Sequence, residues 1–208
     1  MNIRTVLFDL DGTLFDTQIF HAEAEAELMK SYGVTIPAGE LTVRYAGRPT
    51  VEVFREVLSC SKATAEMLSR KKWEKIIPRA REAKPLCDLS QLFFELDRKG
   101  ISFGIGSSSP RDWVWKLIEL HCPYSYFTTF NVVCGDEVMK GKPDPEVWQR
   151  IARGIADDRS PNDCLVVEDG LAGIEGAMAA GMRSALILPN KHPEAIQINN
   201  VCDVLKIV

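Results

Sequence analysis

The chain has 208 residues, enough for one large domain or for a core with a small second lobe. Apolar residues make up 46%, sufficient for a buried core, and the formal net charge is −4. An acidic balance disfavours nucleic acid or an anionic membrane as partner, so any phosphate recognition has to be local.

No apolar stretch approaches the length of a membrane span, and no apolar run of signal-peptide type stands near the first residue. Cys60, Cys87, Cys122, Cys134, Cys164 and Cys202 are scattered, with no Cys-x-x-Cys pair. They read as buried, reduced thiols of a cytoplasmic protein rather than as a zinc site. Nothing in the sequence indicates an oligomeric state.

The first predicted element is the apolar run Val6, Leu7 and Phe8, of strand type. Asp9 and Asp11 follow at once, then Gly12 and Thr13. Residues i and i+2 of an extended chain point to one side, so two carboxylates leave a buried strand together. Two close carboxylates repel unless one is protonated or a cation lies between them. Gly12 permits a sharp turn, and Thr13 can hydrogen-bond locally. A strand closing in a polar Asp-Gly turn is the plain alternative.

Residues 18–84 contain no convincing strand. A helix is predicted over His21 to Lys30, with Phe20, Ala24, Leu28 and Tyr32 as its apolar face and Gly33 ending it. Further helical runs are predicted near 50–59 and 62–82, and Arg70, Lys71, Lys72, Glu74 and Lys75 read as a solvated face. From Pro85 onward strand and helix alternate. Helices are predicted over 89–99, from Ser107–Pro110 through Trp113, Val114, Leu117, Ile118 and His121, over about 144–155, and over 172–180. Strands are predicted over 101–106, 131–134, 164–167 and 183–188, with a last short one within 201–208.

This alternation implies βαβ crossovers. The expected fold is α/β: a Rossmann-like, doubly wound, mostly parallel sheet with a small helical cap inserted after the first strand. The catalytic core would be 1–16 and 85–208, and the cap 17–84. The connections would hinge at Phe15 to Thr17 and just before Pro85.

Three further strand ends carry polar groups. Ser107 and Ser108 precede a helix, where hydroxyls and free N–H groups suit an anion; an ordinary serine cap accounts for them as well. Lys142 stands before the rigid turn Pro143, Asp144 and Pro145, and could fix a phosphate and a carboxylate together; a surface lysine is the plain reading. Glu168 and Asp169 close an apolar strand and could complete a hard-cation site with Asp9, or simply face a helix dipole. As a set they match phosphoryl chemistry, which needs positioning and charge neutralisation.

The set resembles the haloacid dehalogenase superfamily. Asp9, Asp11, Gly12, Thr13 and the residues through Thr17 look like its first motif. Ser107 matches the second, Lys142 the third, and Glu168 with Asp169 the fourth. The insertion resembles the cap of the β-phosphoglucomutase-like branch. Gly170 stands where a serine is usual, and Asp88 where the cap-to-core junction usually has glycine.

The resemblance implies a Mg²⁺-dependent phosphatase acting on a small phosphorylated metabolite. Asp9 would be the nucleophile and Asp11 the general acid and base, with Ser107, Ser108, Thr13 and Lys142 around the phosphoryl group. Metal ligands would be Asp9, Asp169, the main-chain carbonyl of Asp11, and Glu168 directly or at one remove. His21, Gly47 and Arg48 would face the substrate from the cap. A sugar phosphomutase is the alternative, and a non-catalytic phosphate-binding regulator a weaker one.

Overall fold

Strand β1, Thr5–Phe8, lies inside the molecule with all four residues buried. Val6, Leu7 and Phe8 are fully buried, each stabilising the fold by roughly 1.5–3 kcal/mol. In the computed structural model, which describes residues 2–45, 48–122, 124–156 and 160–208, β1 pairs in parallel with β2, Ser102–Gly106, on one side and β4, Cys164–Glu168, on the other. β3, Val132–Val133, β5, Arg183–Ile187, and β6, Ile196–Ile198, extend the sheet to the order β3-β2-β1-β4-β5-β6, and every pairing is parallel.

The period of two along β1 sends its side chains to opposite faces. Val6 and Phe8 join an apolar cluster with α5, Leu89–Arg98, and α6, Arg111–His121. Leu7 joins a separate cluster with α7, Glu146–Ile155, and α8, Leu171–Ala179. Helices thus cover both faces, the doubly wound arrangement.

Among the described residues the insertion holds four α-helices, α1, Gln18–Lys30, α2, Ala38–Tyr45, α3, Thr50–Leu58, and α4, Lys62–Ile76, followed by a 3-10 turn at Ile77–Glu82. They enclose a core of their own that includes Met29, Leu41, Phe54 and Leu68. The two connections to the main body run side by side: Asp16 N–H donates to Lys84 O, and Leu86 N–H donates to Leu14 O, both at 2.9 Å.

Five expectations need correction. Tyr32 is exposed, because α1 ends at Lys30 and the helical period no longer carries Tyr32 inward. Lys72 is buried, not solvated, because its ammonium finds a carboxylate inside the cap. α2 was not expected, since only Leu41 and Tyr45 mark its buried face. The last strand lies at Ile196–Ile198, whereas Val201–Lys206 is a 3-10 turn that buries Val201 and Val204 at a spacing of three. Cys87 and Cys202 form a disulfide across 115 positions, a proximity that scattered spacing does not reveal. No helix among the described residues is long and apolar enough to cross a membrane.

Candidate active site

Sheet order reverses at β1, since the chain adds β2 and β3 on one side and later β4 on the other. Ligands in open α/β sheets bind beyond the carboxyl ends of strands at such a point. Asp9 continues β1, its N–H donating to Val167 O at 3.0 Å. Asp11 follows it, Ser107, Ser108 and Ser109 follow β2, and Glu168 and Asp169 stand at the end of β4.

Lys142 ties these strand ends together. Its Nζ donates to Asp9 Oδ1 at 2.6 Å, Glu168 Oε1 at 2.6 Å and Gly106 O at 3.0 Å, and lies 4.4 Å from the Trp148 ring centre. All three ammonium hydrogens are therefore used. Burial alone would lower its pKa, but Asp9 and Glu168 more than offset that and hold the lysine charged. Glu168 places its other oxygen on Gly170 N–H at 3.0 Å. Asp9 is pushed up to about 7, chiefly by burial and then by Glu168, with Lys142 pulling against both.

Asp11 sits in a cage of donors. Thr17 Oγ1, Trp113 Nε1 and His21 Nε2 reach its Oδ1 at 2.6, 2.8 and 3.1 Å, and Ser109 Oγ donates to Oδ2 at 2.5 Å. Burial would raise this carboxyl, but His21 and the hydroxyl bonds outweigh it and hold Asp11 well below the usual range. Asp11 is thus a firm carboxylate in this arrangement.

Asp9, Glu168 and Asp169 each offer a carboxylate oxygen, and the three lie within 4.8 Å of one another. Asp169 Oδ1 is buried with no hydrogen-bond partner, and its pKa is raised by burial and then by Asp9 and Glu168. A hard divalent cation fits this donor set, because it supplies the charge that the cluster lacks. Gln18 Nε2 donates to Asp11 O at 2.7 Å and Asp169 Oδ2 at 3.3 Å, so an amide donor bridges two further oxygens of that kind. Gly12 makes room for the cluster: its φ is +88°, and a Cβ there would collide with the Asp169 carboxylate.

The expected phosphate-side groups are placed as follows. Ser107 Oγ accepts from Ser109 N–H at 3.0 Å, a bond within the loop rather than a helix cap. Ser108 Oγ is buried without a partner and lines the cavity with Asp9 and Asp11. Thr13, expected to bond locally, has no partner for its buried Oγ1. His21 faces Asp11 from the cap, edge-on to Trp73 and Trp113. Arg48 lines the cavity and pairs with Glu56 at 2.9 Å. Gly47 lies outside the described residues. The cavity over Asp9 and Asp11 has a volume of about 60 Å³.

Thr17, Gln18, Ser109 and Trp113 had no assigned place in the site. Gln18 and Trp113 carry no motif: Gln18 reaches the carboxylates from the first position of α1, and Trp113 from the first turn of α6, in the apolar cluster that holds Val6 and Phe8. Ser109 could have been found as the third hydroxyl of a run already singled out.

A carboxylate pair after the central strand, a buried lysine and an acidic cluster on one sheet edge, under a helical insertion, define a class. The profile of the haloacid dehalogenase-like hydrolases matches residues 6–187, and the chain belongs to this family of enzymes. Pyrophosphatase PpaX of Oceanobacillus iheyensis is 28% identical over 217 residues, covering 100% of this chain and 98% of that protein. Fructose-1-phosphate phosphatase YqaB of Escherichia coli is 28% identical over 182 residues, covering 85% and 92%. The crystal structure of a hydrolase from Pseudomonas syringae superposes with a TM-score of 0.82 at 21% identity, covering 98% of this chain and 96% of that one, a likeness of fold. By name the two relatives act on different phosphates, so they indicate the family and not one branch of it.

Proposed function

We propose that the chain is a Mg²⁺-dependent phosphatase of the β-phosphoglucomutase-like branch. Its substrate would be a small phosphomonoester such as a sugar phosphate. The observation that carries this reading is Lys142 donating at once to Asp9 and Glu168, which presents a buried carboxylate beside a fixed positive charge. Asp9 attacks phosphorus; the Asp9–phosphorus bond forms as the bond to the leaving oxygen breaks. Asp11 gives that oxygen a proton, then takes one from the water that attacks phosphorus and frees Asp9. Its donor cage suits the second step; the first needs an Asp11 that has given up part of the cage. Thr17 and His21, at the start of the cap, are the donors that cap movement would withdraw.

Ser107, Ser108 and Thr13 supply hydroxyl or N–H groups to the phosphoryl oxygens, and Lys142 supplies charge. Asp9 and Asp169 would hold Mg²⁺, with Asp11 O in place of its bond to Gln18 and Glu168 close by; the ion would neutralise phosphoryl charge. Hydrolysis is favoured over phosphoryl return because the cap cations on the cavity, Lys72 and Arg48, are already paired with Glu25 and Glu56 and leave no uncompensated charge among the described lining residues of the cap for a second phosphate. Phosphate release from p-nitrophenyl phosphate, with Mg²⁺ and with excess chelator, tests this function. Mg²⁺-dependent release that Asp9→Asn abolishes is expected, since an amide is no nucleophile; sustained multiple turnover by Asp9→Asn would refute it.

A further inference from the structure

One buried charged cluster in the cap takes no part in the steps above. Lys72 of α4 is 2% exposed and Glu25 of α1 is 7% exposed. Lys72 Nζ donates to Glu25 Oε1 at 2.7 Å and to Thr50 Oγ1 at 2.5 Å, and Thr50 Oγ1 donates to the same Glu25 oxygen at 3.2 Å. These contacts use two of the three ammonium hydrogens and neither of them uses Glu25 Oε2. Glu25, Thr50 and Lys72 line the cavity that Asp9 and Asp11 line from below.

Stability alone does not explain the cluster. Burying an ion pair costs about what its attraction returns, and an apolar trio would hold the helices as well. α1, α3 and α4 already share the cap's apolar core. A charged pair that faces the cavity instead has the makings of a recognition element. Its charges cancel, and the other cap cation on the cavity, Arg48, is paired with Glu56. A carboxylate or second phosphate entering from the core side would therefore meet Glu25 without an uncompensated cation to balance it. A hydroxyl, both donor and acceptor, can use Lys72 and Glu25 together.

Resting on the phosphatase reading above, we infer that Glu25 and Lys72 form a charge-neutral specificity pair. It selects phosphomonoesters whose leaving group is a neutral polyol over those whose leaving group carries a further negative charge. The pair positions the leaving group and takes no part in proton transfer.

Glycerol 3-phosphate and 3-phosphoglycerate test this, because they differ by a hydroxymethyl group against a carboxylate. The protein should favour glycerol 3-phosphate by at least tenfold in kcat/KM. Glu25→Gln leaves Lys72 uncompensated and should lower that ratio at least fivefold toward 3-phosphoglycerate. A structural defect lowers both values together and leaves the ratio alone. If Glu25→Gln does not fold, Glu25→Gln/Lys72→Gln removes both charges and should keep the ratio within about threefold of the parent; a shift toward 3-phosphoglycerate overturns the inference. A parent ratio near one or reversed overturns it too, as does an unchanged ratio in folded Glu25→Gln. Absence of Mg²⁺-dependent release from both esters and from p-nitrophenyl phosphate overturns the phosphatase reading and this inference with it. Release from p-nitrophenyl phosphate with no preference between the esters overturns this inference alone.

Discussion

Lys142→Ala is the perturbation whose size the structure sets most directly. The lysine is 3% exposed and donates to two buried carboxylates and one main-chain carbonyl. Its removal leaves Asp9 and Glu168 facing each other without the charge between them. Breaking a buried ion pair by deleting one partner costs about 3–5 kcal/mol. For a chain of this length that is a fall in melting temperature of about 6–20 °C. The cost depends on pH, with a sign fixed by Asp9. Lys142 pulls the Asp9 pKa down against burial and Glu168, so without it Asp9 holds its proton to higher pH. Near neutrality Asp9 of the folded variant then holds more of a proton than in the folded parent, while the unfolded chains have released theirs, so the variant's stability falls more steeply as pH rises. Denaturation of both proteins in chelator at pH 5.5 and pH 8 measures this. A penalty clearly larger at pH 8 is expected. A penalty under about 1 kcal/mol at pH 8, against the 3–5 expected for a broken buried pair, would refute the reasoning. So would one that is the same at both pH values.

The raised carboxyls of Asp9 and Asp169 make stability of the metal-free parent decline as pH rises from about 4 through about 7, because the folded state binds protons that the unfolded chain has released. Melting curves should therefore show Mg²⁺ raising the melting temperature more at pH 8 than at pH 5.5, and much less in Asp169→Ala; a pH-independent Mg²⁺ shift would argue against the cluster as its site. Gly12→Ala should weaken Mg²⁺ activation at least tenfold, because its Cβ displaces the Asp169 carboxylate and its φ is strained; an unchanged Mg²⁺ activation curve would rule that role out. β-Glucose 1-phosphate supplied with catalytic 1,6-bisphosphate should yield free phosphate in preference to glucose 6-phosphate, followed together by coupled assay; isomerisation faster than release would identify a mutase.

The sequence alone determined the parts that depend on local order. The apolar run before Asp9, the alternation of strand and helix after Pro85, and the polar residues at strand ends follow from periods of two and 3.6 and from turn chemistry. Those signals sufficed for a parallel sheet with an insertion after β1, as observed. Tertiary structure decided everything that needs two distant segments to meet. Lys72 reads as one charge among several on a polar helix until Glu25, 47 positions away, supplies its carboxylate. Cys87 reads as a lone thiol until the turn at Val201–Lys206 brings Cys202 beside it. Trp113 reads as a core residue, and it is one, yet its indole N–H points at Asp11 from 102 positions away. A buried charge or polar hydrogen is tolerated only where a partner meets it, and that partner is chosen by packing, which a linear pattern does not contain.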